Sequence, residues 1–160
     1  MTAPQVDPFQ YRQLLGHFAT GVTILTTMTP EGKPLGMTAN SLASVSLSPP
    51  LISVCVDHEA DMHPVILKAS EFVVNVLASD QEALARRFSD KYEDRFDGVG
   101  YRLSPEGLLL LDGVLAHLVC RRQETYPGGD HTIVLGRVIG GTTHEGHPLL
   151  YYRGGYAALG

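Results

Sequence analysis

At 160 residues, with 44% hydrophobic and 18% charged side chains, the chain is long enough for one compact domain and too apolar to stay disordered. A formal net charge of −5 argues against the clustered basic surface that duplex nucleic acid rewards. No apolar run reaches the roughly 18 residues of a membrane span, so neither nucleic acid nor a membrane is an expected partner.

The first eight residues carry neither a basic start nor an apolar stretch, which argues against a secretory leader and for a cytoplasmic protein. Asp7-Pro8 reads as an N-cap with proline at the first helical position. The helix should run to about Phe18, with Tyr11, Leu14, Leu15 and Phe18 on one face, and end at Gly21. Strands follow at 22–27, 34–38, 41–47 and 51–56, with a turn at Pro30-Glu31-Gly32-Lys33 and a break at Ser48-Pro49-Pro50. The near-continuous apolar run 51–56 reads as a central strand. A short helix is expected within 61–69 and a strand at 72–77. Ser79-Asp80-Gln81-Glu82 fits a capping box opening a helix over 80–88. Residues 89–98 read as an exposed polar loop.

Strands resume at 113–124, 131–142 and 149–152, joined by Pro127-Gly128-Gly129-Asp130 and Glu145-Gly146-His147. Seven or more strands with two or three short helices, and no repeated strand–helix alternation, predict a mainly β fold: a mostly antiparallel barrel with peripheral helices, one domain over residues 1–160. Cys55 and Cys120 sit in apolar runs and read as free thiols in a reducing compartment.

Familiar catalytic signatures are missing. There is no phosphate loop, nucleophile elbow or Cys-x-x-Cys, and Gly98-Val99-Gly100 lacks the third glycine of a dinucleotide fingerprint. His144 and His147 lack an evident third metal ligand, and His58 and His63, five apart, should diverge on a helix. Such a chain suits chemistry carried by an organic cofactor.

The stretch Gly36-Met37-Thr38-Ala39-Asn40-Ser41-Leu42-Ala43-Ser44-Val45-Ser46-Leu47-Ser48-Pro49-Pro50-Leu51 resembles the signature of the flavin reductase-like, FMN-binding split-barrel family. Gly21-Val22-Thr23-Ile24-Leu25-Thr26, Phe72-Val73-Val74-Asn75-Val76-Leu77, Gly129-Asp130-His131 and Pro148-Leu149-Leu150-Tyr151-Tyr152-Arg153 agree in order and spacing. The resemblance implies a homodimer with FMN or FAD at the subunit interface. It implies NADH or NADPH as hydride donor, and release of reduced flavin to a partner flavin-dependent monooxygenase. A flavin-binding module or carrier without turnover is the alternative.

The residues support a cradle. Around Met37 and Ala39, small side chains let a planar ring approach the backbone, while Thr38, Asn40, Ser41 and Ser44 offer hydroxyl and amide groups. A Ser/Thr-rich edge strand facing water is the plain alternative. Ser53 to Asp57 should sit beside the ring, with Cys55 against it or in the core, the core being the simpler reading. The family often places hydroxyls where this chain has Ala60 and Met62, which leaves N–H groups at the start of the following helix to meet a phosphate, against Asp57, Glu59 and Asp61. Arg86, Arg87, Phe88, Ser89 and Lys91 either touch the outer flavin or form a solvated helix end. His131 is the expected catalytic-site residue, holding the nicotinamide nucleotide; the alternative is a hairpin histidine bonded to Asp130. Tyr152, Arg153 and Tyr156 are candidate wall residues, Arg153 for a pyrophosphate.

Overall fold

The computed structural model describes residues 2–91 and 93–160. In chain order these form α1 (Pro8–Gly16), β1 (Thr20–Gly21), β2 (Thr23–Met28), β3 (Pro34–Ala39), β4 (Ala43–Leu47), β5 (Pro50–Asp57) and α2 (Met62–Ile66). Next come β6 (Glu71–Val76), α3 (Glu82–Ser89), β7 (Tyr101–Leu103), β8 (Leu109–Leu111), β9 (Ala116–Gly128), β10 (His131–Thr143), β11 (Leu150–Tyr152) and β12 (Gly155–Ala157).

Seven strands build the main sheet in the order β3–β2–β6–β9–β10–β5–β4, every pairing antiparallel. Its two edge strands are neighbours in sequence, joined only by residues 40–42. Four residue steps span at most about 14 Å. The sheet therefore has to curl until its edges approach, and it does so without pairing them. The result is the antiparallel barrel expected from the strand pattern, in the split form that the resemblance implies.

β2 is buried on both faces, so it separates two cores. Inside the barrel, Leu25, Ile52, Val54, Val56, Phe72, Val74 and Val134 meet Met62 and Ile66 of α2. Outside it, Ile24, Leu77, Leu109 and Leu111 meet Ala85 and Phe88 of α3. Threonines in β2 escape a desolvation cost by donating to backbone carbonyls: Thr23 to Ala39 at 2.7 Å and Thr26 to Leu109 at 2.7 Å.

Several expectations need correction. β5 is not central; it lies one strand from an edge, and only Ile52, Val54 and Val56 are buried. On its other face Leu51, Ser53 and Cys55 are only part-buried. α1 starts as expected, with Asp7 Oδ1 accepting the Gln10 N–H at 2.8 Å, but stops at Gly16, and Tyr11, Leu14, Leu15 and Phe18 are all exposed. The capping box does not form. The Ser79 N–H donates to the His147 carbonyl, and Gln81 becomes the N-cap, its side-chain oxygen taking the Ala78 N–H. The expected exposed loop is present over the described residues 90–91 and 93–98, and it is anchored: Arg87 donates to the carbonyls of Asp94, Arg95 and Asp97, and Phe96 packs edge-on against Phe88 at 4.9 Å. The short strands β1, β7, β8 and β12 were not legible.

Candidate functional site

The strip from Thr38 to Ser44 leaves the main sheet at the end of β3 and re-enters it at β4. Thr38, Ala39 and Asn40 line a cavity of about 190 Å³ with Val22, Ser89, Tyr151 and Tyr156. Ser41 then ties the strip to β5: its Oγ accepts the Cys55 N–H at 2.9 Å and lies 3.3 Å from the Cys55 carbonyl. Ala43 lies opposite Ser53, and Ser44 opposite Ile52, just before a bulge that ends at Ser46. β4 is an edge strand, so its outward N–H groups have no ladder partner. Ala39 and Leu42 of the strip also touch the barrel interior, and Met37, just before it, packs there too.

The outer face of β5 continues the surface. Ser53 and Cys55 point away from the core, opposite Leu135 and Ile133 of β10. Core placement of Cys55 is thus corrected: it is half-buried, whereas Cys120 is fully buried and its thiol is pushed up to about 12 by that burial. Both are free. His131 pairs with Asp57 two residues along the same ladder from Cys55, about 7 Å away. Its Nδ1 donates to Asp130 Oδ1 at 2.7 Å, and that bond holds the Asp130 carboxyl below its usual range. The hairpin bond therefore exists, and it directs Nε2 to other partners.

The loop after β5 brings together two histidines expected to diverge. His58 precedes α2 instead of riding on it, so its ring meets that of His63 at 4.9 Å. His63 Nε2 is 2.8 Å from Thr132 Oγ1, and the His58 N–H donates to the Asp130 carbonyl at 3.0 Å. The loop thereby clamps the turn end of the His131 hairpin. It offers a phosphate little. Asp57, Glu59 and Asp61 are exposed acids, and Asp57 Oδ1 already caps the Glu59 N–H at 2.8 Å. Ala60 has no hydroxyl and α2 spans five residues.

Other candidates lie elsewhere. Met62 and Phe88 are core side chains, each 1% exposed. Arg87 spends its donors on the three carbonyls that shape residues 94–97. Tyr152 alternates with Tyr151, so it faces His17 instead of the cavity. Arg153 sits at the tip of the β11–β12 hairpin with φ of 50°, its N–H bonded to the Gly16 carbonyl at 2.8 Å. Tyr151 was missed: adjacent tyrosines in a short strand point oppositely, and only the register tells which faces the site.

Comparison with known proteins decides the family. Residues 15–160 match the flavin reductase like domain. The chain belongs to that family. A Pseudomonas putida flavin reductase is 42% identical over 155 residues, covering 96% of this chain and 91% of its own. HsaB, the reductase subunit of a flavin-dependent monooxygenase from Rhodococcus jostii, is 39% identical over 160 residues, covering 99% and 82%. The solved Streptomyces globisporus NADH:FAD oxidoreductase SgcE6, in complex with NAD and FAD fragments, superposes with a TM-score of 0.91 at 43% identity, covering 99% of this chain and 98% of its own.

As a flavin reductase, the chain has a strip suited to an isoalloxazine and ribityl chain. Small residues, edge-strand N–H groups and the Asn40 amide supply close approach and donors. Residues 57–62 do not suit a flavin phosphate, for the reasons of charge and missing hydroxyls given above.

Proposed function

We propose that this flavin reductase oxidises NADH or NADPH and reduces FMN or FAD, with the flavin ring lying on the strip 38–44 and the outer face of β5. The observation that supports it best is the continuity of that surface. Ser41, Ala43, Ser44, Ser53 and Cys55 put small side chains on adjoining segments, and the His131 turn stands beside the end of β5 at Asp57. When bound, the flavin supplies the hydride acceptor and the dihydronicotinamide the donor. The protein's part is to bind, orient and exclude water. In this reading Asp130 fixes the His131 ring and tautomer, and Nε2 meets the nicotinamide nucleotide.

The same surface supports a homodimer with the flavin in the seam. Leu51, Cys55, Ile133 and Leu135 form an outward apolar face, flanked by exposed Val45, Leu47 and Tyr126. Monomers seldom leave so large a patch uncovered. The cavity of about 190 Å³ is also below the roughly 300–1,000 Å³ of a complete small-molecule site, so a second chain supplies the missing wall. HsaB serves a monooxygenase, and a partner oxygenase receiving reduced flavin is part of this proposal. Two free thiols suit the cytoplasm. Among the described residues, no helix is long and apolar enough to cross a membrane.

The deciding experiment is a turnover matrix of NADH and NADPH against FMN, FAD and riboflavin. Flavin-dependent nucleotide oxidation is expected, and its absence in all six pairings refutes the reading. His131→Ala should raise KM for the nucleotide more than KM for flavin; an unchanged nucleotide KM removes the assigned role. Sedimentation should give twice the chain mass.

A further inference from the structure

The strand that carries His131 is anchored from the face opposite its ring. Successive side chains of a strand point to opposite faces, and directly opposed residues share a face. His131 lies opposite the exposed Asp57, and Thr132 lies opposite the fully buried Val56. Thr132 therefore points towards the barrel interior. There His63 Nε2 stands 2.8 Å from Thr132 Oγ1. His63 belongs to α2, whose Met62 and Ile66 are rooted in the barrel core. Its ring meets that of His58 at 4.9 Å, and the His58 N–H donates to the Asp130 carbonyl at 3.0 Å. Both chain neighbours of His131 are thus tied to one segment, Asp130 by its carbonyl and Thr132 by its hydroxyl.

The hairpin needs such a tie. The Arg122 N–H donates to the Ser70 carbonyl, and past that point β9 pairs only with β10 among the described residues. Residues 126–130 are exposed, so little packing steadies the turn from which His131 starts. The tie to Asp130 is main chain and survives a change of side chain at position 58. The tie to Thr132 depends on two side chains, and a hydroxyl can bond Nε2 in either tautomer of His63. We propose that His63 is a positioning residue of the reductase: acting through Thr132, it fixes the start of β10 and so aims the His131 ring, without touching nucleotide or flavin. The proposal rests on the reductase reading and on the part it gives His131. Hydride donor and acceptor must come within about 3–3.5 Å in a fixed orientation, so a turn that shifts loosens the hold on the nucleotide before it alters the flavin bed.

Steady-state kinetics of the intact protein test this, with the better nucleotide varied at fixed FMN and FMN varied at fixed nucleotide. His63→Leu fills the space and cannot bond. It should raise KM for the nucleotide by about two- to twelvefold, the net worth of one hydrogen bond, and leave KM for flavin unchanged. His63→Gln, whose amide can meet the Thr132 hydroxyl, should recover part of the loss. Thr132→Val should reproduce it, and carries the test if His63→Leu does not fold. Because the two residues act as one unit, the double variant should be no worse than either single. In a His131→Ala background, His63→Leu should add nothing. Losses that multiply in the double variant, equal rises in both KM values, or no rise at all overturn the proposal, while wild-type turnover leaves the reductase reading standing. Absence of wild-type turnover in every nucleotide–flavin pairing overturns both.

Discussion

Asn75 ties three strands together, and its removal should cost more than any surface change. It is fully buried in β6, where a polar side chain persists only if its hydrogen bonds are met. Nδ2 donates to the Ile24 carbonyl at 2.9 Å and to Thr26 Oγ1 at 3.0 Å, both in β2; Oδ1 accepts the Leu111 N–H of β8 at 3.0 Å. Asn75→Ala strands the buried Leu111 N–H, a loss of about 1–3 kcal/mol, and removes two further bonds of about 0.5–1.5 kcal/mol each. The expected destabilisation is therefore about 2–6 kcal/mol, a large share of the roughly 5–15 kcal/mol typical of a domain. At about 2–4 °C per kcal/mol for a chain of this size, Tm should fall by about 4–24 °C. Urea titration followed by far-UV circular dichroism gives the free energy if the m-value is unchanged. Asn75→Asp keeps the acceptor for Leu111 and loses the donors, so at neutral pH it should be no milder than Asn75→Ala. A loss below about 1 kcal/mol for Asn75→Ala at constant m refutes the hub and the additive reasoning behind it.

Gly136 is a packing position: an added Cβ would stand 2.9 Å from Phe72 Cζ and 3.3 Å from both Cys120 Cβ and Ile52 Cδ1. Gly136→Ala should destabilise by about 1–3 kcal/mol in the same urea assay, and a neutral result would show that the interior yields. Burial lowers the His117 pKa, with Arg102 and His144 adding to the effect against the Leu111 carbonyl it bonds. Its folded value thus lies below the ordinary value of about 6.5, so the unfolded chain binds the proton first. The stability it confers is complete above that value and declines as pH falls through it towards the lowered folded pKa. Between pH 7.5 and 5.5 the urea midpoint should fall more for wild type than for His117→Gln; parallel slopes count against it. Cys120 should resist labelling in native protein, because it is buried with its pKa pushed up to about 12. Rapid labelling of Cys120 by a thiol reagent at pH 8 contradicts the packing.

What was legible in the sequence was what neighbours in the chain decide. Asp7-Pro8 opens α1, and Gly129 at φ of 68° turns β9 into β10. The β-branched runs become strands. The misses share one cause, which is distance along the chain. The Ser79 cap was lost to a bridge between Ala78 and Pro148, seventy positions away. Tyr151 and Tyr152 could not be told apart until pairing with Tyr156 and Gly155 set the register.

One class of error has a different origin. The run 51–56 read as a central strand and α1 as carrying an apolar face, yet Leu51 and Cys55 are half-buried and Tyr11, Leu14 and Phe18 stand more than half exposed. Apolar content of this kind is stable in water only if something covers it. The pattern implies burial and is silent about what does the burying. In the proposed homodimer, residues whose sequence asks for an interior that their own chain does not supply mark the surface a second copy would cover. That surface carries Ser53, Cys55 and the approach to His131. A dimer-breaking change there, Leu135→Glu opposite Ser53, should therefore lower flavin affinity and dimer content together. Loss of the dimer with flavin affinity retained would separate the seam from the site.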